Sequence, residues 1–340
     1  MANIGYLQVA RRCNQKCIFC SNPDNGRILS LEEACAHIDD FVERKYDGVI
    51  LTGGEPTLFE PLPELIRYAS EKGINVRMIS NGQRTADLDF LRKLAVAGLK
   101  HLHISIHSNR PELHDWLTQT PGSLERQAAS LRNAGDLGLT INVNIVINHY
   151  NADHLHEIVE WVVSVQPKVN HFIFNNLDPL MRRSDAEDAV IPKLREFEVS
   201  LWKAGTFLEK SGRSFRVERV PLCYMIDFAH YSTETRKIVK EEERLIHFLD
   251  QKETFQQQNF YHQKAEVCKI CTLNPICAGL YELGRFYDAS ELSPLFVNPR
   301  SVVEAVLGRN IPDDRYEALM ARIKMHMHPS DRNSHRTGER

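Results

Sequence analysis

From residue 4 to about residue 176, short apolar runs alternate with longer amphipathic stretches, which restricts this part of the chain to repeated β/α units around a parallel sheet. The spacing predicts strands over 4–9, 48–52, 75–79, 101–107, 140–147 and 170–175. Between them it predicts helices over 31–45, 60–72, 87–98, 122–137 and 151–165, the first opened by a capping box of Ser30 and Glu33. Six such strands make an α/β fold of the partial (β/α)6 TIM type, an open barrel rather than a closed eight. After Asp178 the rhythm gives way to charged, irregular sequence with a helical stretch near 190–211 and a charge-rich run at Thr235–Arg244. The expected organisation is a barrel over 1–180, a small irregular cysteine-rich C-terminal region over 181–324 and a flexible tail over 325–340. The tail's His326, His328 and His335 read as solvated.

The 42 basic and 45 acidic side chains nearly cancel, so nothing marks the chain as one held by nucleic-acid phosphates. No apolar stretch of about 18 residues is present, and Ile4-Gly5-Tyr6-Leu7-Gln8-Val9 does not follow a charged n-region. The expectation is a soluble cytoplasmic protein with no membrane partner. There, thiols stay reduced, so clustered cysteines among the eight point to metal or redox chemistry.

The first cluster, Cys13-Asn14-Gln15-Lys16-Cys17-Ile18-Phe19-Cys20, puts three thiols within eight residues directly after the first strand. That is the C-terminal mouth where barrel enzymes keep their chemistry. Iron–sulfur clusters and zinc both accept thiolates. Three ligands are one short of a cubane's four irons and would leave one iron open to a substrate atom. A zinc knuckle with a borrowed fourth ligand is the alternative.

The Cys-x3-Cys-x2-Cys loop, with Phe19 before its third cysteine, resembles the signature of the radical S-adenosylmethionine (SAM) superfamily. The resemblance implies a [4Fe–4S] cluster whose open iron chelates SAM, reductive cleavage of the sulfonium bond, and hydrogen abstraction from substrate by the 5′-deoxyadenosyl radical. An electron donor such as flavodoxin or ferredoxin would then be a partner. Strand two ends in Gly53-Gly54-Glu55-Pro56, which resembles the family's motif for the SAM amino group; glycines permit close backbone approach and Glu55 offers an acceptor. By the same resemblance Ser105 and Asn144, with Asn81 behind them, contact the methionine carboxylate and ribose. Each has a strand-end cap as its alternative. Phe172-Ile173-Phe174-Asn175 would flank adenine or serve as core. His103, His107, His114 and His149 invite an acid–base reading, although hydrogen abstraction needs no base at its first step. Arg110 and Arg126 read as solvated helix faces or as carboxylate binders.

A second group, Cys268, Cys271 and Cys277 in the pattern C-x2-C-x5-C, lies 45 residues after Cys223. It resembles the auxiliary-cluster regions of the SPASM/twitch branch, which includes molybdopterin-precursor synthase and peptide maturases. Seven cysteines are usual in the fuller region, whereas this chain offers four, enough for one fully ligated [4Fe–4S] cluster. A tetrahedral zinc site is the alternative, and Cys223 could instead be a buried small hydrophobe. Cys35 shares a helix face with Leu31, Ile38 and Val42 and reads as core. The expected function is hydrogen abstraction from a peptide by a maturase. The rivals are biosynthesis of a small-molecule or nucleotide-derived cofactor, RNA modification, and a non-catalytic iron–sulfur electron carrier. The ending Gly338-Glu339-Arg340 lacks the Gly-Gly tail of molybdopterin-precursor synthase.

Overall fold

The computed structural model describes residues 3–178, 188–249, 253–281 and 283–327. The boundary expected at 180, and His328 and His335 of the expected tail, lie outside the described residues. His326, by contrast, closes a helix.

All six expected strands form: β1 (Ile4–Ala10), β2 (Gly48–Gly53), β3 (Asn75–Ser80), β4 (Leu99–Ser105), β5 (Thr140–Ile147) and β6 (His171–Asn176). They alternate with α1 (Leu31–Glu43), α2 (Leu62–Glu71), α3 (Leu88–Ala97), α4 (Pro111–Thr118), α5 (Ser123–Asp136) and α6 (Leu155–Val165). The Ser30/Glu33 box closes as predicted, with Glu33 N donating to Ser30 Oγ at 3.1 Å and Ser30 N to Glu33 Oε2 at 2.7 Å. Sequence reading missed α4, a helix of eight residues that begins on Pro111.

The parallel pattern also runs further than expected. Helix α7 (Leu194–Lys210) leads into β7 (Ser214–Glu218), and two short strands, β8 (Arg244–His247) and β9 (Thr254–Gln257), complete a sheet in the order β7-β6-β5-β4-β3-β2-β1-β8-β9. Strand β8 runs parallel to β1 and β9 antiparallel to β8. The sheet stays open. Even so, Arg244 of β8 reaches Glu218 of β7 at 3.3 Å, both side chains mostly buried, so strands from opposite flanks of the sheet meet through an ion pair.

Alternation along the strands explains why helices cover one face. Val49, Leu51, Val76, Met78, Leu102, Ile104, Ile141, Val143, Phe172 and Phe174 have no exposed surface. Each contributes roughly 1.5–3 kcal/mol of burial against an unfolded reference. The concave face between them is polar: Arg77, His101, His103, Asn142, Asn144, His171 and Arg216 occupy the alternate positions.

The chain divides into two compact units, Met1–Glu218 with Glu243–Gln258, and Arg219–Glu242 with Asn259–Arg340. The second contains α8 (Thr233–Lys240), α9 (Pro299–Leu307) and α10 (Asp313–His326), joined by 3-10 turns around buried Leu273, Ile276, Leu280, Tyr287 and Val303. Thr235 Oγ1 donates to Ile276 O at 2.9 Å and ties α8 to the cysteine-bearing segment.

Candidate active site

The loop after β1 is held in place from both sides. Arg11 N donates to Arg27 O at 2.8 Å and Leu29 N to Val9 O at 3.0 Å, which folds the loop back beside its own strand. Lys16 N and Ile18 N donate to Thr118 O and Leu117 O at 3.2 and 3.0 Å, so the unpaired carbonyls at the end of α4 receive the cysteine loop. Phe19 is buried with Leu117, Leu177 and Val190, and its ring meets His107 edge-on at 4.5 Å.

Within this loop Asn81 Nδ2, at the end of β3, approaches Cys13 Sγ at 3.7 Å and Asn14 Oδ1 at 2.7 Å. Gln15 N donates toward Cys13 Sγ at 3.4 Å. Burial pushes the Cys13 thiol up to about 11, with Glu55 and Cys20 adding to the shift. Thiolates crowded in this way need a cationic centre before they can form. Gln15 Nε2 is buried without a hydrogen-bond partner, and sulfide is an acceptor for such a donor. Three thiols with a buried amide donor beside them fit an iron–sulfur group, whose bridging sulfides accept hydrogen bonds.

The Gly-Gly-Glu-Pro turn packs directly against the cysteine loop. A Cβ on Gly53 would lie 1.9 Å from Ala10 O and one on Gly54 would lie 2.5 Å from Arg12 O, so the glycines admit the cysteine loop's own backbone. Gly54 N and Glu55 N then donate to Ala10 O and Arg12 O at 2.7 and 2.8 Å. Glu55 is fully buried: Oε1 accepts from Thr57 N at 3.0 Å and Ser80 Oγ at 2.9 Å, and Oε2 from Asn81 N at 2.7 Å. Burial raises its pKa while those donors oppose the shift. Pro56 begins the 3-10 turn that Glu55 caps.

Ser105 and Asn144 are register partners across β4 and β5, both half-buried. Gln127, a fully buried amide missed in the sequence, donates to Ser105 O at 2.7 Å and Asn81 O at 3.1 Å and fixes these two strand ends. Its signal was a polar residue on the inward face of an amphipathic helix.

The buried histidines His103, His107 and His114 are held neutral near pH 7. Burial takes His107 well below its usual range and His114 down to about 4, and His103 falls to about 3 through burial and neighbouring cations. His149 is exposed and pairs with Glu196 at 3.0 Å. Because unfolding frees His103 and His114 to protonate near pH 6.5, the folded state loses stability as the pH falls from 6.5 towards 4. For His114 alone the loss is on the order of 3 kcal/mol. Thermal midpoints of wild type and His114→Gln across that window should show a shallower slope in the variant; equal slopes would contradict this reading.

The sequence profile of the radical SAM superfamily matches residues 7–162, from within β1 to within α6, and so takes in the cysteine loop, the glycine turn and the Asn81, Ser105 and Asn144 strand ends. Residues 7–162 form a radical SAM domain. Fe-coproporphyrin III synthase of Methanosarcina barkeri is 32% identical to this chain over 147 residues, 42% of this chain and 36% of that protein. GTP 3',8-cyclase of Peptoclostridium acidaminophilum is 31% identical over 173 residues, 47% of this chain and 52% of that protein. The chain thus matches about half or less of these relatives' own lengths. The structure of native anSMEcpe with bound AdoMet and Cp18Cys peptide shares the fold over 96% of this chain and 100% of that one, with a TM-score of 0.61 at 15% identity.

Beyond the radical SAM domain, Cys223, Cys268, Cys271 and Cys277 line one cavity, closed by Leu222, Leu273, Leu292 and Leu295. Leu295 N donates toward Cys271 Sγ and Gly279 N toward Cys277 Sγ, each at 3.4 Å. Gly279 has φ +89, and a Cβ there would lie 2.3 Å from Gln263 O, so only glycine brings this amide to the thiol. Burial pushes the Cys223 thiol up to about 12, with Cys277 and Cys268 adding to it, so the distant cysteine joins the C-x2-C-x5-C group in space. Apolar walls, four thiols and amide donors to sulfur suit a fully ligated cluster. No disulfide joins any of the eight cysteines. No helix among the described residues is long and apolar enough to cross a membrane.

Proposed function

We propose that this chain is a radical SAM enzyme of the cytoplasm that abstracts hydrogen from a peptide. Cys13, Cys17 and Cys20 hold the SAM-binding [4Fe–4S] cluster, and Cys223, Cys268, Cys271 and Cys277 a second. When bound, the first cluster and SAM supply reductive cleavage of the sulfonium bond and hydrogen-atom abstraction. The chain's own residues position that chemistry. Gly53 and Gly54 admit the cysteine loop, Glu55 and Pro56 lock the turn beside it, and Asn81, Ser105 and Asn144 offer polar groups to SAM at the strand ends. A flavodoxin or ferredoxin supplies the electron.

The observation that carries the peptide reading is the extent of the fold shared with anSMEcpe in its peptide complex, which includes the second unit. The matches to the porphyrin and GTP enzymes cover less than half of this chain and favour a small-molecule substrate as the second reading. Anaerobically reconstituted enzyme with SAM and dithionite should form 5′-deoxyadenosine faster when given peptides encoded beside its gene, with a matching mass change in the peptide. Stimulation by GTP or a porphyrin and by none of those peptides would overturn it.

The role of Cys223 has its own test. Cys223→Ala should lose iron and sulfide while the three-cysteine cluster persists; an unchanged count and spectrum would remove Cys223 from the ligand set.

A further inference from the structure

The concave face of the sheet carries a basic belt to which the reading above gives no role. Register sets Arg77 of β3 beside His101 of β4, and His103 of β4 in line with Asn142 of β5 and His171 of β6. Arg216 stands on β7 two residues beyond Ser214, the register partner of His171. Their chain neighbours Val76, Met78, Leu102, Ile104, Phe215 and Val217 are buried on the helix-covered face, so alternation turns these cations inward.

Among the described residues, no salt bridge reaches Arg77 or Arg216. Arg77 Nε is buried without a hydrogen-bond partner, as is His101 Nδ1. Burial lowers the pKa of Arg77, Tyr6 opposes that shift and Arg216 adds to it, so the two guanidinium groups sense one another across the hollow. Glu218, the carboxylate on this face of the strands, is engaged by Arg244 at 3.3 Å. The half-buried guanidinium of Arg77 is costly without a partner, Arg216 stands exposed beside it on the open edge of the face, and a carboxylate or phosphate satisfies such groups through charge-assisted, often bidentate, bonds.

We propose that Arg77 and Arg216, assisted by His101 and His103, bind an anionic group of the substrate, a carboxylate or a phosphate, inside the barrel. Arg77 precedes Asn81 by four residues, so the anion sits about 13 Å below the cysteine mouth at the rise of a β-strand. The histidines are neutral near pH 7 and each can donate one N–H. The proposal rests on the reading that SAM-dependent chemistry occurs at that mouth, and it specifies which end of the substrate points inward.

Reconstituted holoenzyme should be titrated calorimetrically with inorganic phosphate and, separately, with succinate. Saturable binding of one or both is expected, the preferred anion telling a phosphate-bearing substrate from a carboxylate-bearing one. Arg77→Gln and Arg216→Gln should each weaken binding about tenfold or more, and Arg77→Lys less. If Arg77→Gln does not fold, judged by iron content and thermal midpoint, Arg216→Gln on the exposed edge strand still reports. Absence of saturable binding by wild type, or unchanged affinity in the Gln variants, overturns the proposal. Intact anion binding in an enzyme that never cleaves SAM would count against the proposed function instead.

Discussion

Cys17→Ala should yield a folded protein that no longer makes 5′-deoxyadenosine above background, a drop of more than roughly a thousandfold. The Cys17 side chain packs beside the Phe19 and Leu117 cluster, where a methyl group fits without strain. With two thiols remaining, the cluster loses its grip, and iron should fall by about four per chain while the second cluster remains. The protein should therefore stay brown with about half its iron. Iron and sulfide analysis beside a SAM-cleavage assay decides the matter, and full turnover in the variant would contradict the assignment.

Glu55→Ala should act on the same centre from behind, through the fold. Three buried donors, Thr57 N, Ser80 Oγ and Asn81 N, would lose their acceptor together. At about 1–3 kcal/mol for each unsatisfied group the three together cost about 3–9 kcal/mol, and relief of a buried acid brings the net loss to the order of 3–6 kcal/mol. The midpoint of thermal unfolding should fall by roughly 6–12 °C. Asn81, released from Glu55, would no longer hold its amide near Cys13, so iron loading should fall as well. Glu55→Gln keeps the shape and one acceptor and should lose much less. An unchanged midpoint in the Ala variant would show that the carboxylate is not what fastens the turn.

The sequence announced those parts of the molecule whose physics is local. Strand–helix alternation, the Ser30 cap and the cysteine spacings depend on neighbours a few residues away, and the six β/α units and the three-thiol loop followed directly. What escaped depends on partners far along the chain. Arg244-Leu245-Ile246-His247 alternates as a strand should, yet its charges and its brevity hid it until β1 supplied an edge. Glu55 was expected to offer an acceptor to a ligand, and only the tertiary positions of Ser80 and Asn81 show that the carboxylate also fastens the turn to the end of β3. Gln15 was passed over because a loop has no period, and Gln127 because one polar position among the inward-facing residues of a helix does not disturb the pattern. Arg77 stood between Val76 and Met78 as an ordinary alternate position, and its lack of a counter-ion shows only once β7 brings Arg216 round.

The ion pair between Glu218 and Arg244 also bears on how the chain is finished during synthesis. Strand β1 leaves the ribosome more than 200 residues before β8, the neighbour that covers its outer side and that is made only after Arg219–Glu242 has been translated. Until then β1 presents open amides and carbonyls to any passing chain. A fragment ended at Glu218 would carry all three cysteines of the mouth and still lack the strand that seals it, and it should aggregate where the longer polypeptide does not.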